Sequence, residues 1–126
     1  AQAVRGIEAA GATTKMAFLA ATSNVGVVHG GSTGNIADTD TVTLRTATDS
    51  VGLLIVQDGT SDATGVFVVN GTTVTELSDP AGIYSITALT AASTNLYITG
   101  GNLTIENLRG GNRNYRITLI GGTDTA

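Results

Sequence analysis

Polar and apolar residues alternate over short stretches along most of the chain, and turn-forming residues separate these stretches. β-branched Val, Ile and Thr are frequent within them, and Gly, Asn, Asp or Ser fills nearly every gap. β-branched side chains suit a pleated strand better than a helix. The stretches cover residues 16–20, 25–29, 41–45, 51–57, 65–69, 73–77, 83–88, 96–99, 103–107 and 115–120. Short strands at roughly ten-residue spacing are typical of all-β domains. The pattern therefore predicts an antiparallel β-sandwich or jelly-roll-like barrel of about 8–10 short strands.

An Asn-Gly pair at positions 70–71 predicts the first hairpin. Both residue types tolerate the positive φ angles of a type I′ turn, which joins two antiparallel strands through two residues. Such a turn sets Val69 opposite Thr72 and Phe67 opposite Val74. Phe67 and Val74 then lie on the same face of the predicted sheet.

A Gly-Gly pair at positions 100–101 predicts a second hairpin, with a Gly-Gly turn. It sets Ile98 opposite Leu103 and Leu96 opposite Ile105. All four aliphatic side chains then point to one face, while Tyr97 lies on the other. One face of this hairpin is therefore expected to pack in the core.

The connection between the last two predicted strands allows two registers. A two-residue turn would set Ile105 opposite Arg116 and bury a charge on the apolar face. A five-residue loop instead pairs Ile105 with Ile117, and it also sets Glu106 opposite Arg116, so that opposite charges meet across the strands. The sequence therefore predicts one three-stranded antiparallel meander between residues 96 and 120.

The chain divides into three parts by the same criteria. Residues 1–12 contain two glycines among apolar residues at near-helical spacing. So short a segment is marginal as an isolated helix, and we expect an extended N-terminal arm. Residues 13–120 form a single β domain, because 126 residues are the size of one domain. Within it, residues 51–56 are apolar at both parities, which indicates a central strand covered on both sides. Residues 121–126 offer nothing to bury and are expected to form a flexible tail.

Composition excludes several classes of function. The formal net charge is −4, with only 13% charged residues, so the chain lacks the basic surface that binds nucleic acid or anionic lipid. No apolar run approaches the roughly 18–20 residues of a membrane-spanning helix. The chain has no Cys and one His, which excludes disulfides, thiolate zinc sites, a Cys nucleophile and any mechanism that needs two imidazoles. We expect no nucleic-acid partner, no membrane partner and no cofactor.

The single histidine is the main candidate for catalysis. His29 precedes two glycines and is close in sequence to Ser32, Asp38 and Asp40, which are the residue types of a nucleophile, base and carboxylate triad. That arrangement requires convergence in space, which closeness in sequence does not provide. We expect a surface histidine and no enzymatic activity, and a small hydrolase that uses His29 is kept as a third hypothesis.

Two pairs of aspartates have the spacing seen in fragments of calcium loops. Asp38 with Asp40, and Asp58 with Asp62, provide carboxylates close together in sequence. Neither pair has the roughly five or six spaced oxygen ligands and the terminal bidentate Glu that complete such a loop. We therefore expect no metal site.

Three tyrosines are the remaining candidates for binding. If Tyr84, Tyr97 and Tyr115 lie on one face of the sheet, they form a platform on which a sugar ring stacks. The arrangement that we favour has them covering the sheet from outside or buried at a contact with another copy of the chain. All three are therefore candidate partner contacts.

The C-terminal half contains four short motifs. They are a hairpin over 65–80 that reads Val-Val-Asn-Gly-Thr-Thr-Val-Thr at its centre, Thr-Asn-Leu-Tyr-Ile at 94–98, Leu-Thr-Ile-Glu-Asn at 103–107 and Tyr-Arg-Ile-Thr-Leu-Ile at 115–120. In these motifs the chain resembles the small β-rich virion proteins of tailed bacteriophages. Phage fibre and tail proteins carry similar β modules, so the resemblance indicates a virion more firmly than a position on it.

The resemblance implies a capsid decoration, or cement, protein. Such a protein is a non-enzymatic domain, commonly trimeric, that sits on the outer surface of the head and bridges neighbouring capsomers. Its partners are the major capsid protein and further copies of itself. An N-terminal arm is sometimes present, and residues 1–12 suit it because Val4 and Ile7 have no other evident use. The main alternative is a carbohydrate- or receptor-binding module of a phage fibre, tail or bacterial surface protein, which needs a groove lined by the tyrosines.

Overall fold

The computed structural model describes residues 27–45 and 50–123, and these residues form strands and the turns between them. The predicted strands at 41–45, 65–69 and 103–107 recur within one residue of their bounds. The strands are β1 (Val27–Ile36), β2 (Thr41–Arg45), β3 (Ser50–Asp58), β4 (Thr64–Asn70), β5 (Val74–Ser78), β6 (Tyr84–Ser85), β7 (Thr94–Thr99), β8 (Asn102–Asn107) and β9 (Arg113–Thr123).

The strands form two sheets that pack face to face. The five-stranded sheet has the order β1-β9-β3-β4-β5, and the four-stranded sheet has the order β2-β8-β7-β6. All neighbouring strands are antiparallel except β6 and β7, which are parallel. No helix occurs in the two described ranges. The predicted all-β class and sandwich architecture are therefore confirmed.

The core lies between the two sheets, where the inner faces of their strands meet. β3 is the middle strand of the five-stranded sheet, as predicted. Leu54 and Val56 on its inner face are fully buried, whereas Leu53 and Ile55 on its outer face are half-buried. The buried apolar residues are Ile36, Leu54, Val56, Phe67, Val69, Val74, Tyr84, Leu96, Leu103, Ile105, Tyr115 and Leu119. The alternating pattern thus predicts the inner face correctly, and no described strand covers the outer face of β3.

The hairpin between β7 and β8 has the predicted register. Ile98 pairs with Leu103, and Leu96 pairs with Ile105. The glycines at 100–101 have φ angles of 54° and 80°, the left-handed conformations of a type I′ turn. The predicted hairpin and its register are therefore confirmed.

The hairpin between β4 and β5 exists, but its predicted register is wrong. Val69 pairs with Val74 instead of Thr72, and Phe67 pairs with Glu76. Four residues, 70–73, lie between the last paired residues, Val69 and Val74, whereas a two-residue turn was expected. Phe67 and Val74 are nevertheless both buried on the inner face, as predicted.

The side chain of Asn70 explains the longer turn. Its Oδ1 accepts hydrogen bonds from the backbone N–H of Thr73 at 3.1 Å and from the Thr73 hydroxyl at 2.7 Å. Gly71 adopts a φ of 90°, while Asn70 does not adopt the positive φ that a type I′ turn requires. Asn side chains often bond to the backbone a few residues ahead, and here that bonding replaces the two-residue turn.

β8 and β9 lie in different sheets, so the predicted meander is wrong. Ile105 pairs with Leu96 in the four-stranded sheet, whereas Ile117 belongs to the five-stranded sheet. The predicted pairing of Glu106 with Arg116 is wrong for the same reason. Glu106 is buried in one sheet, and Arg116 is exposed on the other.

Asn107 explains why the chain changes sheets after β8. Its Nδ2 donates hydrogen bonds to the carbonyls of Ile36 at 2.9 Å and Gly111 at 2.7 Å, and its Oδ1 accepts one from the N–H of Arg109 at 3.0 Å. These bonds hold the loop after β8 against the end of β1, which belongs to the other sheet. Side chains alternate in the same way whether two strands pair edge to edge or face each other. The pattern alone therefore does not distinguish the two arrangements.

β9 extends beyond its predicted end. Gly121 and Thr123 pair with Gly52 and Ser50 of β3, so residues 121–123 belong to the sheet and the expectation of a free tail is corrected for them. Gly121 and Gly52 have φ angles of 154° and 139°. A Cβ on either glycine would collide with the opposite backbone. The close approach of β3 and β9 at this pair therefore requires glycine on both strands.

The other predicted segments differ or lie outside the description. The strand expected at 83–88 contracts to the two residues of β6. The strand expected at 25–29 is described from Val27 onward as part of β1. The arm at 1–12, the strand at 16–20 and residues 124–126 lie outside the described residues.

Candidate functional site

Two of the three tyrosines named as partner contacts lie in the core. Tyr84 is 6% exposed and packs edge to face against Phe67, with ring centroids 5.7 Å apart. Its hydroxyl donates a hydrogen bond to the carbonyl of Ala63 at 2.7 Å. Tyr115 is fully buried, and its hydroxyl lies 2.6 Å from that of Thr94. The expectation that Tyr84 and Tyr115 contact a partner is therefore corrected, because their rings fill the space between the sheets.

The environment of these two rings keeps both phenols neutral. Burial raises the pKa of Tyr84 far above its ordinary value, and the nearby carboxylate of Asp58 raises it further. Burial is also the largest cause of the raised pKa of Tyr115. Neither group is tuned toward proton transfer near neutral pH.

Tyr97 is the tyrosine that remains near the surface. It lies on the outer face of the four-stranded sheet and is half-buried. Burial raises its pKa, and the charge of Glu106 adds to the effect. A platform of three tyrosines is therefore not formed. The other two named contacts, Val4 and Ile7, lie outside the described residues.

Two of the candidate catalytic residues, Ser32 and Asp38, accept hydrogen bonds from backbone N–H groups. Ser32 Oγ accepts one from the backbone two residues ahead at 3.1 Å, and Asp38 Oδ1 accepts one from the N–H of Gly110 at 2.9 Å. Within the described ranges, no hydrogen bond joins Ser32 to Asp38 or Asp40. The side chain of His29 lies outside the description. The structure thus does not bring the serine and the aspartates together.

Of the second pair of aspartates considered for calcium, Asp58 forms hydrogen bonds with the backbone. Asp58 is fully buried, and its Oδ1 accepts hydrogen bonds from the N–H groups of Thr60 at 2.7 Å and Ser61 at 3.2 Å. Asp62 is exposed. Asp58 therefore organises the turn between β3 and β4. Across the described residues, no three His, Asp or Glu side chains are grouped as metal ligands.

An unusual backbone conformation marks the loop between β6 and β7. We call residues 86–93 the Leu89 loop. Leu89 and Ala92 have φ angles of 63° and 58°. Residues with a Cβ seldom adopt this left-handed conformation, which costs roughly 1–3 kcal/mol and persists only where the surroundings hold it. Such strain is concentrated at functional sites, and this loop is therefore the first candidate site.

Glu106 holds the Leu89 loop from beneath. The carboxylate is 4% exposed, and its Oε1 accepts hydrogen bonds from the N–H of Leu89 at 2.8 Å and from Asn95 Nδ2 at 2.9 Å. Asn95 Nδ2 also donates to the carbonyl of Thr90 at 3.1 Å. Hydrogen bonds to a charged acceptor are stronger than those between neutral groups. The buried carboxylate therefore stabilises the strained conformation of Leu89.

The Leu89 loop presents apolar side chains on a firmly held backbone. The hydroxyl of Ser85 donates to that of Thr90 at 3.0 Å, and the Thr90 hydroxyl donates to the carbonyl of Thr87 at 2.8 Å. Leu89 is 77% exposed and Ile86 is 41% exposed. A loop that is ordered before binding loses less entropy when a partner binds. Its geometry therefore suits a contact with another protein.

A second apolar surface lies on the outer face of the five-stranded sheet. Val28 pairs with Ile120, Ile120 with Leu53, and Leu53 with Val68. We call these four side chains the outer apolar row, which crosses β1, β9, β3 and β4. Ile120 is 46% exposed and Val68 is 37% exposed, while the other two are half-buried. Contiguous exposed apolar residues often mark interaction sites.

Sequence reasoning missed both surfaces. The apolar residues at both parities of β3 are a signal for the outer apolar row, but they predict equally well a strand that is covered on both faces. Leu89 gives no comparable signal. Its exposure depends on a hydrogen bond to Glu106, which is 17 residues away in sequence.

Comparison with known proteins identifies no family. No family model, no curated protein and no solved structure matches the chain. The described part of the chain contains no helix that is long and apolar enough to cross a membrane. The Leu89 loop and the outer apolar row are therefore the features from which a function is inferred.

Proposed function

We propose that the chain is a non-enzymatic structural protein that decorates the outer surface of a bacteriophage capsid and stabilises it by binding across neighbouring capsomers. The major capsid protein is the partner, and the decorating unit is a homotrimer. The proposal combines the resemblance of residues 65–120 to phage virion proteins with one observation. That observation is the presence of two separate exposed apolar surfaces on different sheets.

Two surfaces support a bridging role, because a protein that joins two neighbours must contact both. The outer apolar row lies on the five-stranded sheet, and the Leu89 loop connects two strands of the four-stranded sheet. A stable contact buries about 800 Å² on each partner, so each surface forms the apolar centre of a larger contact. Repetition on a symmetric lattice turns two weak contacts into strong overall binding.

The buried polar groups support a structural role as well. Asp58 organises a turn, Glu106 holds the Leu89 loop, and Asn107 fixes the crossing between the sheets. Each uses its oxygen or nitrogen atoms to position backbone, as expected of polar groups that specify a fold. These hydrogen bonds give Asp58 Oδ1, Glu106 Oε1 and the Asn107 amide structural roles, whereas Asp58 Oδ2 has no hydrogen-bond partner among the described residues.

The proposal is tested by cosedimentation of the purified chain with expanded, undecorated heads of the bacteriophage that encodes it. Leu89→Ser removes the apolar tip of the Leu89 loop, and Val68→Lys places a charge in the outer apolar row. Each variant is expected to bind at least about tenfold more weakly, because apolar groups near the centre of a contact contribute most of its affinity. Thr99→Lys adds the same charge at an exposed position of the four-stranded sheet and is expected to bind normally.

The same cosedimentation measurements can contradict the proposal. Absence of binding to the heads contradicts it, and so does an equal loss of binding in Thr99→Lys, which would make the effect one of charge alone. Sedimentation velocity tests the homotrimer, and a monomer at the concentrations that saturate the heads contradicts that part.

The alternative is a carbohydrate- or receptor-binding module. Saturable binding of a glycan, without binding to the heads, would favour it. That alternative depended on a groove lined by three tyrosines. Burial of Tyr84 and Tyr115 leaves Tyr97 as the one tyrosine near the surface in the described part of the chain. The geometry therefore favours the decoration protein.

A further inference from the structure

A polar concavity lies where β1 pairs with β9. Its volume is about 440 Å³, and its lining consists of Gly31, Ser32, Asn114, Arg116, Ile117 and Thr118. Arg116 is exposed, whereas its neighbour Tyr115 is buried in the core, so the concavity opens on the outer face of the five-stranded sheet. Among these described lining residues, Arg116 carries the one charge and none is acidic. The concavity therefore offers hydrogen-bond donors around a positive charge and favours an anionic occupant.

Glycine and a β-bulge in β1 shape the concavity. Gly30 pairs with Thr118, and it has no side chain to cover β9 at this point. After Ser32 the register between β1 and β9 shifts, and Gly34 adopts a φ of 71°. Ser32 Oγ accepts a hydrogen bond from the N–H of Gly34 at 3.1 Å. A bulge re-aims the side chains next to it. Here it holds Ser32 opposite Arg116, with the hydroxyl proton still available to a ligand.

The turn between β3 and β4 positions Asn114 at the end of the concavity. The carbonyl of Asn114 accepts a hydrogen bond from the N–H of Gly59 at 2.8 Å. A Cβ on Gly59 would collide with Asn114 Oδ1, so the carboxamide oxygen lies against this turn. Nδ2, the donor end of the carboxamide, is then left for a ligand. Arg116, Ser32 and Asn114 therefore bring three donor groups to one concavity.

The concavity continues the outer apolar row along the same face of the sheet. Arg116 pairs with Ser32 on one side and with Gln57 on the other, and both neighbours are uncharged. Ile120 of the outer apolar row follows four residues later on β9, a distance of about 13 Å along a strand. Contacts between proteins commonly have an apolar centre and a polar rim. The face therefore presents an apolar centre with one positive charge at a fixed distance from it.

We propose that Arg116 binds a carboxylate on the partner surface that covers the outer apolar row. The carboxylate is that of an Asp or Glu side chain about 13 Å from the apolar patch that the row contacts. That this partner is the capsid rests on the proposed function. The planar guanidinium donates two parallel hydrogen bonds to the carboxylate oxygens, and Ser32 and Asn114 supply further donors. The net charge of the chain is −4, so its overall field repels an acidic surface. Arg116 therefore selects the position of docking and contributes little to long-range attraction.

An amphipathic carboxylate tests the site without heads. The probes are decanoate and decyltrimethylammonium, which share an apolar chain and differ in the sign of their charge. Binding is followed by NMR at the methyl groups of Ile120 and Val68 and at Nε of Arg116. The net charge of −4 favours the cation in general, so a preference for the anion is specific to the site. Decanoate is expected to bind at least about tenfold more tightly than the cation. Equal affinities, or tighter binding of the cation, overturn the proposal.

Two variants assign the preference for decanoate to Arg116. Arg116→Gln removes the guanidinium and is expected to lower the affinity for decanoate about tenfold. Thr99→Glu changes the net charge by the same amount at an exposed position of the other sheet, and it should leave the affinity within about twofold of the wild type. Unchanged binding of decanoate to Arg116→Gln, or an equal loss in Thr99→Glu, overturns the proposal.

Cosedimentation with heads tests the partner separately. Arg116→Gln is expected to bind the heads at least about fivefold more weakly than the wild type, and Thr99→Glu normally. On heads whose carboxylates have been amidated, the wild type and Arg116→Gln should bind equally. Normal binding of Arg116→Gln to unmodified heads, or a difference that persists on amidated heads, overturns the carboxylate as the ligand. Absence of any binding to heads contradicts the proposed function, whereas the decanoate titration still decides whether Arg116 forms the site.

Discussion

Glu106→Ala removes the carboxylate that supports the Leu89 loop. Two hydrogen bonds to a charged oxygen are lost, from the N–H of Leu89 at 2.8 Å and from Asn95 Nδ2 at 2.9 Å. Such bonds contribute about 1.5–3 kcal/mol each. The substitution also removes the desolvation cost of a buried carboxylate, which offsets part of this loss. We expect the free energy of unfolding to fall by about 2–3 kcal/mol.

The Leu89 loop is expected to respond more strongly than the sheets. The φ of 63° at Leu89 is strained, and without the bond to Glu106 the loop opens more easily by about 2 kcal/mol. That difference corresponds to about a 30-fold increase in the opening equilibrium. Hydrogen–deuterium exchange at amides 87–90 measures this increase. Amides of β8 and β9 are expected to follow only the change in global stability.

Glu76→Ala is the matched control for this prediction. It removes the same charge from an exposed position on β5, so the free energy of unfolding is expected to stay within about 0.5 kcal/mol of the wild type. Exchange in the Leu89 loop should not change. If Glu106→Ala lowered the melting temperature but increased loop exchange no more than exchange in β8, Glu106 would support the sheet and not the loop.

Three further predictions are tested by urea denaturation. Asn107→Ala removes three hydrogen bonds, one buried and two partly buried, and is expected to lower the free energy of unfolding by about 3 kcal/mol, whereas Asn70→Ala at an exposed turn lowers it by less than about 1 kcal/mol. Gly52→Ala drives a Cβ into the backbone of β9 and is expected to lose more than about 3 kcal/mol, while Gly111→Ala is nearly neutral. Burial raises the pKa of Tyr84 in the folded protein, so the tyrosine of the unfolded chain ionises first as the pH rises. The contribution of Tyr84 to the free energy of unfolding is therefore expected to be constant below about pH 10. Above that pH it is expected to fall by up to about 1.4 kcal/mol per pH unit. Tyr84→Phe should reduce that slope.

Each of these predictions has an outcome that contradicts it. Equal losses in Asn107→Ala and Asn70→Ala would mean that the crossing from β8 to β9 does not depend on the buried amide. A neutral Gly52→Ala would contradict the close approach of β3 and β9. An unchanged alkaline slope in Tyr84→Phe would mean that the ring of Tyr84 is not buried in the folded protein.

Local features of this fold could be predicted from the sequence. The hairpin between β7 and β8 depends on two adjacent glycines and on the alternation of their flanking residues. All of this information lies within about ten residues, so turn chemistry and register are linked. The hairpin at Asn70 shows where such reasoning fails. The same Asn side chain that favours a turn also bonds to Thr73 and lengthens it.

Features that join distant segments could not be predicted in this way. The sheet to which β9 belongs depends on Asn107 and its hydrogen bonds to Ile36 and Gly111. The alternation of apolar and polar residues does not indicate which of the two sheets a strand joins. The strained conformation of Leu89 depends in turn on Glu106, a residue that charge complementarity assigns to a different partner. The candidate site is therefore a product of tertiary contacts, while the strands that carry it follow from local pattern.

A cryo-electron microscopy reconstruction of heads saturated with the chain gives the most direct test of its function. The expected map shows each copy contacting two capsomers, one through the outer apolar row and the other through the Leu89 loop. A map in which the chain touches a single capsomer, or in which both surfaces face solvent, would contradict the proposed bridging role.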